Sequence, residues 1–121
     1  MFTLNCRGRI LVIEKPAVMG IINATPDSFF SPSRAQNFDA VLRLAEKMIV
    51  EGVDIIDIGG QSTRPGSKRI NVDEELFRVV PAIEIILKKF PSTIISVDTY
   101  YPKVATISVE VGACIINDIS A

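Results

Sequence analysis

The chain has 121 residues but no histidine and no tryptophan. Without an imidazole, any proton transfer has to use carboxylates, amides, hydroxyls, amines or a bound metal ion. Neither sign of charge is in excess, because 13 Lys and Arg side chains stand against 14 Asp and Glu side chains. With a formal net charge of −1, the chain has no basic surface to neutralise a phosphate backbone, so we expect no nucleic-acid partner.

Long apolar runs and cysteines are scarce as well. Charged residues or glycines interrupt every apolar run before the roughly 18 residues that a membrane span requires, so we expect no membrane partner. The charged residues Arg7, Arg9 and Glu14 leave no continuous apolar core for a signal peptide. Cys6 and Cys114 match no metal-binding spacing, and we interpret them as reduced thiols of a cytoplasmic protein.

The sequence does contain a regular alternation of two patterns. Short runs rich in Ile and Val predict strands buried on both faces, and apolar residues spaced near 3.6 predict helices between them. Gly52 should cap the first helix, an Asn71–Glu74 capping box should begin the second, and Pro81 should kink or split it. The predicted elements are a hairpin of residues 3–5 and 9–13, strands 18–23, 53–59, 93–98 and 113–118, and helices 38–51, 71 or 73 to 90, and 102 to 111.

This alternation predicts an α/β fold with a parallel sheet and right-handed crossovers. Four βα units are half of a TIM (β/α)8-type barrel, which takes about 250 residues. The alternative is a small open sheet, and composition and pattern alone do not separate the two. No Gly-x-Gly-x-x-Gly sequence follows the first strand, which argues against dinucleotide binding.

Each of these strands carries a polar side chain at or near its end, and the carboxyl ends of parallel strands are where α/β proteins bind ligands. Asn23 could coordinate a hard cation or simply form the turn. Asp98 must be paired, and it could accept N–H groups of a flat heterocycle or anchor a loop. Asn117 offers a donor and an acceptor beside it. We interpret Asp57 and Asp118 as structural, paired with Arg or backbone amides.

The segment Gly59–Ser67, which follows the second of these strands, combines glycines, hydroxyls, a guanidinium and a proline. Thr63 and Arg64 suit a phosphate or diphosphate. The alternative is a surface turn in which Arg64 pairs with a nearby acid. Phe29, Phe30 and Pro65 could form an apolar slot for an aromatic co-substrate, and the alternative for Phe30 is an aromatic that anchors the loop.

Four segments of the chain resemble, in order, the signature motifs of dihydropteroate synthases. They are Met19–Phe29 (MGIINATPDSF), Asp57–Gly66 (DIGGQSTRPG), Ile95–Ala105 (ISVDTYYPKVA) and Gly112–Asp118 (GACIIND). The resemblance implies a TIM-type barrel enzyme of folate biosynthesis, a cytoplasmic transferase that sulfonamides target and that is a homodimer at full length. It would condense 6-hydroxymethyl-7,8-dihydropterin diphosphate with 4-aminobenzoate, giving 7,8-dihydropteroate and diphosphate.

The resemblance also implies a role for each candidate residue. Asn23 would contact the Mg²⁺ that holds the diphosphate. The other implied roles are catalysis near the diphosphate and pterin for Thr63, Arg64 and Asp98, binding of the pterin ring edge for Asp98 and Asn117, and the aminobenzoate slot for Phe29 and Pro65.

Three departures from the family pattern limit what the chain can do alone. Phe30–Ser33 stands where the family commonly has Ser-Asp-Gly-Gly, Gln61 stands where it has Glu, and the later motifs with their Lys and Arg are absent. We therefore expect residues 1–121 to be the N-terminal part of one pterin-binding barrel domain, with the C-terminal half absent and little activity alone. The rival interpretation is a non-catalytic pterin-binding module related to the barrels of corrinoid-dependent methyl transfer.

Overall fold

The computed structural model of the chain describes residues 2–6, 9–13, 18–24, 34–60 and 71–118, with side chains over 18–24, 38–60 and 71–117. In chain order the elements are β1 (Phe2–Cys6), β2 (Arg9–Ile13), β3 (Met19–Asn23), α1 (Arg34–Val50), β4 (Ile55–Gly59), α2 (Val72–Lys89), β5 (Ile94–Thr99), α3 (Pro102–Glu110) and β6 (Ile115–Asp118).

Strands β1 and β2 pair antiparallel from Phe2 opposite Ile13 to Cys6 opposite Arg9, which confirms the predicted hairpin. The four later strands form one parallel sheet in the order β3-β4-β5-β6. The predicted α/β fold with a parallel sheet is therefore confirmed.

The strand order separates the two architectures that the sequence left open. A doubly wound open sheet reverses its strand order at a switch point, whereas in this sheet each new strand is added beside the previous one. Right-handed crossovers in an unreversed order place successive helices on the same face, and α2 packs between α1 and α3. This arrangement is that of consecutive βα units of a barrel wall.

The apolar core lies between the sheet and these helices. Ile22, Ile58 and Val97 are register neighbours on β3, β4 and β5, and all three are fully buried. A Cβ on Gly20 would come within 2.6 Å of the Met48 sulfur on α1, so the glycine lets helix and edge strand approach closely. The core consists of Ile22, Ala24, Val41, Ala45, Ile56, Ile58, Val79, Ala82, Ile83, Ile86, Ile95, Val97 and Ala113.

Helix α1 begins at Arg34, four residues before the predicted start at Phe38. The apolar spacing that marks a helix begins only at Phe38, because the first turn of α1 is mostly polar. At the other end the prediction holds, since Gly52 adopts a φ of 92° and donates to Ile49 O at 3.1 Å. A left-handed glycine directly after a helix satisfies carbonyls that the helix leaves open.

Helix α2 begins as the sequence predicts but does not split. The Asn71 side chain accepts a hydrogen bond of 2.8 Å from Glu74 N, which confirms the N-cap. The reciprocal half of the capping box is not formed, because the Glu74 carboxylate accepts from Arg78 Nε instead. Of the two effects predicted for Pro81, the split is wrong, since α2 runs from Val72 to Lys89, and the kink stays a prediction. Proline has no N–H to donate to the carbonyl four residues earlier, but the helix continues across this position without a break.

Cys114 lies between α3 and β6 and is half-buried. It is disulfide-bonded in the structure, so the expectation of a reduced thiol at this position is wrong. Spacing along the sequence excludes a local metal motif, but it does not exclude a long-range disulfide. The prediction for the Cys6 side chain falls outside the described side chains.

None of the helices in the described part of the chain combines the length and apolar character that crossing a membrane requires.

Candidate functional site

The polar residues that end the strands lie side by side. Asn23 pairs with Gly59, Gly59 with Asp98, and Asp98 with Asn117, so these four residues form one row across the carboxyl edge of the sheet. We call this row the edge row. The predicted gathering of Asn23, Asp98 and Asn117 at one edge is therefore present.

The edge row faces away from the helices. Side chains alternate along a strand, so Asn23 points to the face opposite that of Ile22, which is buried against α1. Asp98 alternates with Val97 in the same way. Neighbouring strands lie about 4.8 Å apart, which places Asn23 roughly 10 Å from Asp98. That span suits an elongated ligand rather than a single ion.

Asp57, two residues before the edge row on β4, is the centre of a buried polar cluster. Its Oδ1 accepts hydrogen bonds from Ser96 Oγ at 2.6 Å and from Asn117 Nδ2 at 3.4 Å. Asn117 Nδ2 also donates to Ser96 Oγ at 3.2 Å, and the Asp98 carboxyl lies close enough to accept a hydrogen bond from Asp57 when Asp57 is protonated. The sequence suggested an Arg or backbone amides as partners of Asp57, but the described partners are side chains of β5 and β6.

Burial is the largest cause of an unusual proton affinity at Asp57. The residue is only 3% exposed, and desolvation together with the hydrogen bond to Asp98 raises its pKa from 3.8 to about 6. The negative charge of Asp98 acts in the same direction, whereas Ser96 and Asn117 stabilise the ionised form and lower the pKa. When Asp57 is protonated, its O–H can donate to Asp98 and hold that carboxyl in a fixed orientation.

Asn23 is the described residue best placed to contribute to a cation site. A Cβ on its neighbour Gly59 would lie 3.9 Å from Asn23 Oδ1, so the glycine leaves the space beside this oxygen open. Within the described ranges, no group of three His, Cys, Asp or Glu side chains could hold a metal ion. One amide oxygen still fits Mg²⁺, which typically takes one or two protein ligands and completes its shell with water and phosphate oxygens.

The first two turns of α2 hold the ends of two strands from behind. Arg78 Nη1 donates to Gly60 O at 2.9 Å, and Arg78 Nε pairs with Glu74 Oε1 at 2.9 Å. Glu75, buried beside them, accepts a hydrogen bond of 2.7 Å from Thr99 Oγ1 at the end of β5.

Sequence reasoning missed these contacts from α2 because Glu74, Glu75 and Arg78 look like the polar face of an ordinary amphipathic helix. The available signal was Glu75, a carboxylate whose position in the helical spacing places it on the apolar side of α2 that faces the core.

Four predicted site residues lie outside the described part of the chain. They are Phe29, Thr63, Arg64 and Pro65. The altered segment Phe30–Ser33 and Gln61 lie outside it as well.

Residues 19–121 match the family described as pterin binding enzyme. Because this match extends over most of the chain, the protein belongs to the pterin-binding enzyme family.

Two relatives show which enzymes of that family the chain is similar to. The chain is 52% identical to the dihydropteroate synthase of Bacillus subtilis (strain 168) over 106 residues, which are 88% of this chain and 37% of that protein. It is 47% identical to the dihydropteroate synthase of Escherichia coli (strain K12) over 116 residues, 96% of this chain and 41% of that protein. The chain thus spans about two fifths of the length of these relatives.

Solved structures give the same result for the fold. Xanthomonas albilineans dihydropteroate synthase with 4-aminobenzoic acid superposes with a TM-score of 0.84 at 43% identity, over 98% of this chain and 44% of that one. A Yersinia pestis dihydropteroate synthase with a sulfonamide drug superposes with a TM-score of 0.79 at 45% identity, over 98% of this chain and 42% of that one. The prediction of the first βα units of a TIM-type barrel is confirmed.

Proposed function

We propose that this chain is the N-terminal part of a dihydropteroate synthase, the transferase that joins 6-hydroxymethyl-7,8-dihydropterin diphosphate to 4-aminobenzoate. The observation that carries the proposal is the edge row, in which one register line places Asn23, Asp98 and Asn117 along the carboxyl edge of the sheet. The identities near 50% to dihydropteroate synthases support it.

In this proposal Asp98 and Asn117 bind the edge of the pterin ring. The Asp98 carboxyl accepts N–H groups of the heterocycle, and Asp57 with Ser96 stabilises the Asp98–Asn117 side of the row. Because the Asn117 amide nitrogen already donates to that cluster, its oxygen is the group it offers to a ligand N–H. A ring held in this way keeps its methylene carbon in position for attack by a weak aromatic amine.

Asn23 is proposed to bind Mg²⁺ through its amide oxygen, at the end of the edge row away from Asp98 and Asn117. When bound, the ion would neutralise the negative charge that develops on the departing diphosphate. Gly59 keeps that end of the edge row free of side-chain atoms, which leaves room for diphosphate oxygens.

The remaining assignments belong to segments 25–33 and 61–70. We propose that Thr63 and Arg64 bind the diphosphate and that Arg64 stabilises its developing charge. Phe29 and Pro65 are proposed to form the slot for 4-aminobenzoate, which is the ligand present in the Xanthomonas albilineans structure. The same slot would take a sulfonamide, the class of drug present in the Yersinia pestis structure.

We further propose a cytoplasmic location and homodimerisation of the full-length protein. The proposed diphosphate substrate supports a cytoplasmic location, because a multiply charged molecule does not cross a lipid bilayer unaided. The disulfide at Cys114 argues in the other direction, since disulfides are rare in reducing compartments. Thiol titration of protein freshly isolated under acid quench decides between the two.

Binding of pteroic acid to the 121-residue chain, followed by NMR, tests the proposal. We expect saturable shifts at residues of β5 and β6, and Asp98→Asn should weaken binding by about 30-fold, because it removes the charge and replaces one acceptor oxygen with an NH₂ that faces a ligand N–H. Asp73→Asn, which changes an exposed carboxylate on α2, is the matched control and should leave the affinity unchanged. A wild-type chain that shows no shifts at millimolar pteroic acid would refute pterin binding.

Synthase activity needs a second arm. The chain alone should condense the two substrates at a negligible rate, and a fusion to the C-terminal part of the Bacillus subtilis enzyme should restore turnover. Turnover by the isolated chain at ordinary enzyme rates would contradict this expectation.

A non-catalytic pterin-binding module remains the second candidate, because a synthase and a binding module would both use the edge row to bind pterin. Calorimetry separates them. A module should bind pteroic acid and ignore 4-aminobenzoate and diphosphate, whereas the fusion with synthase activity should bind 4-aminobenzoate once diphosphate and Mg²⁺ are present.

A further inference from the structure

Glu75 is the most deeply buried carboxylate among the described side chains, and the proposed chemistry does not use it. The residue is 1% exposed and lies in the first turn of α2. Its Oε2 accepts a hydrogen bond of 2.7 Å from Thr99 Oγ1, and Thr99 is itself 2% exposed. A buried carboxylate with a short hydrogen bond is costly to retain unless the contact fixes something nearby.

The Thr99 hydroxyl holds the corner that follows β5. It donates to Glu75 and at the same time accepts a hydrogen bond of 3.0 Å from Tyr101 N. Tyr101 is the N-cap residue of α3 and has no side-chain cap of its own. Thr99 thus connects α2, the end of β5 and the start of α3 through one oxygen atom.

Asp98 immediately precedes this corner. Because neighbouring side chains of a strand point to opposite faces, Thr99 points to α2 while Asp98 points into the edge row. Fixing the Thr99 side chain therefore fixes the backbone on which the Asp98 carboxyl stands.

The same turn of α2 also lies against the end of β4. A Cβ on Gly60 would come within 3.2 Å of Glu75 Cγ and 3.0 Å of Val79 Cγ2. Gly60 O accepts from Arg78, and Gly60 directly precedes the segment that carries Thr63 and Arg64. Glu75 thus lies behind two adjacent strand ends, hydrogen-bonded to Thr99 on one and close to Gly60 on the other.

We infer that Glu75, acting through Thr99, is a positioning residue that sets the orientation of Asp98 for pterin binding. This inference rests on the proposed function and deepens it. Groups that support ligand-binding side chains from behind affect affinity without touching the ligand.

A matched pair of substitutions at Thr99 tests the inference. Thr99→Val removes the hydroxyl and keeps the shape, so we expect the dissociation constant for pteroic acid to rise about tenfold, the change that loss of a hydrogen bond to a charged group produces. Amide exchange at Tyr101 should accelerate by a similar factor. Thr99→Ser keeps the hydroxyl and should stay within about twofold of the wild type in both measurements.

Two further variants separate positioning from simple loss of stability. Ile83→Val removes one buried methylene from α2, two turns beyond Glu75, and should lower the melting temperature without changing the affinity. Glu75→Gln keeps an acceptor for Thr99 but weakens it, so we expect a loss of about threefold. The double variant Glu75→Gln/Thr99→Val should bind no more weakly than Thr99→Val alone, because both changes break the same link.

The outcomes distinguish three cases: Glu75 positions Asp98, Glu75 is only structural, or the chain does not bind pterin. The predicted pattern supports the inference. An unchanged affinity in Thr99→Val, or an equal loss in Ile83→Val, overturns it and leaves Glu75 a structural residue. If Thr99→Val does not fold, Glu75→Gln with unchanged affinity and unchanged Tyr101 exchange also overturns it. A wild-type chain that binds no pteroic acid overturns the proposed function and the inference with it, which is a different result from a wild type that binds and a variant that binds equally well.

Discussion

The two faces of the parallel sheet have different roles, because one packs against the helices and the other carries the polar candidate site. On the face toward the helices, Ile22, Ile58 and Val97 form a continuous apolar layer. On the other face, the same three strands and β6 carry the buried acid Asp57 and the edge row, and β3 exposes Ile21 to 61%. Adjacent residues of one strand therefore have opposite roles, so composition alone says little about what an individual isoleucine does.

The largest expected effect contrasts two neighbours on β3. Ile22→Ala empties a fully buried position and should lower the free energy of unfolding by about 3 kcal/mol. Ile21→Ala trims a side chain that is largely exposed in this chain, so the loss should stay below about 0.5 kcal/mol. Urea denaturation of both variants measures the contrast, and equal losses would show that a second surface covers Ile21 in solution.

The next effect concerns the titration of Asp57. Its folded-state pKa of about 6 exceeds the ordinary 3.8, so the folded state holds this proton more tightly than the unfolded state does. The contribution of Asp57 to stability is therefore greatest below pH 4, falls as the pH rises toward 6, and is constant above about 7. The total change is about 3 kcal/mol for two pKa units.

Asp57→Asn keeps the shape of the side chain and removes the titration. Between pH 4 and pH 7 the wild type should lose about 3 kcal/mol of unfolding free energy relative to the variant, because only the wild type titrates at this position. Ser96→Ala should extend the window to higher pH, because it removes a hydrogen bond that favours the ionised acid. Chemical denaturation at several pH values measures both, and a constant difference across the range would refute the raised pKa.

The smallest effect tests whether a change on the helix side stays there. Asn71→Ala removes the N-cap of α2 and should lower stability by about 1 kcal/mol. Asn71→Ser keeps a capping oxygen and should lose much less. Thermal unfolding gives both values, and neither variant should change the affinity for pteroic acid. A weaker affinity in Asn71→Ala would mean that the start of α2 transmits its position to the edge row more strongly than the N-cap contact suggests.

Sequence reasoning reached the edge row because it depends only on strand direction. Once Asn23, Asp98 and Asn117 are placed at the ends of parallel strands, the edge that they share follows. The cluster around Asp57 could not be reached in the same way, since it depends on register. Asp57 meets Ser96 only because these two residues are paired across β4 and β5, and no local pattern specifies that pairing.

Helix ends show a similar division. The caps at Gly52 and Asn71 are local chemistry and were predicted correctly. The start of α1 at Arg34 lies before the apolar spacing begins, and the continuity of α2 through Pro81 runs against the local propensity of proline. The choice between barrel and open sheet likewise needed the strand order, which the alternation of elements does not contain.

The close contact between Gly20 and Met48 makes one place in the fold vulnerable to oxidants. The Met48 sulfur lies against bare backbone at a distance that leaves no room even for a Cβ on the strand. A sulfoxide at that position would add a polar oxygen to a tightly filled apolar contact, and α1 would have to move away from β3 to accommodate it. Methionine sulfoxide reductases would then repair the fold of this protein, because reducing Met48 would let α1 pack against β3 again.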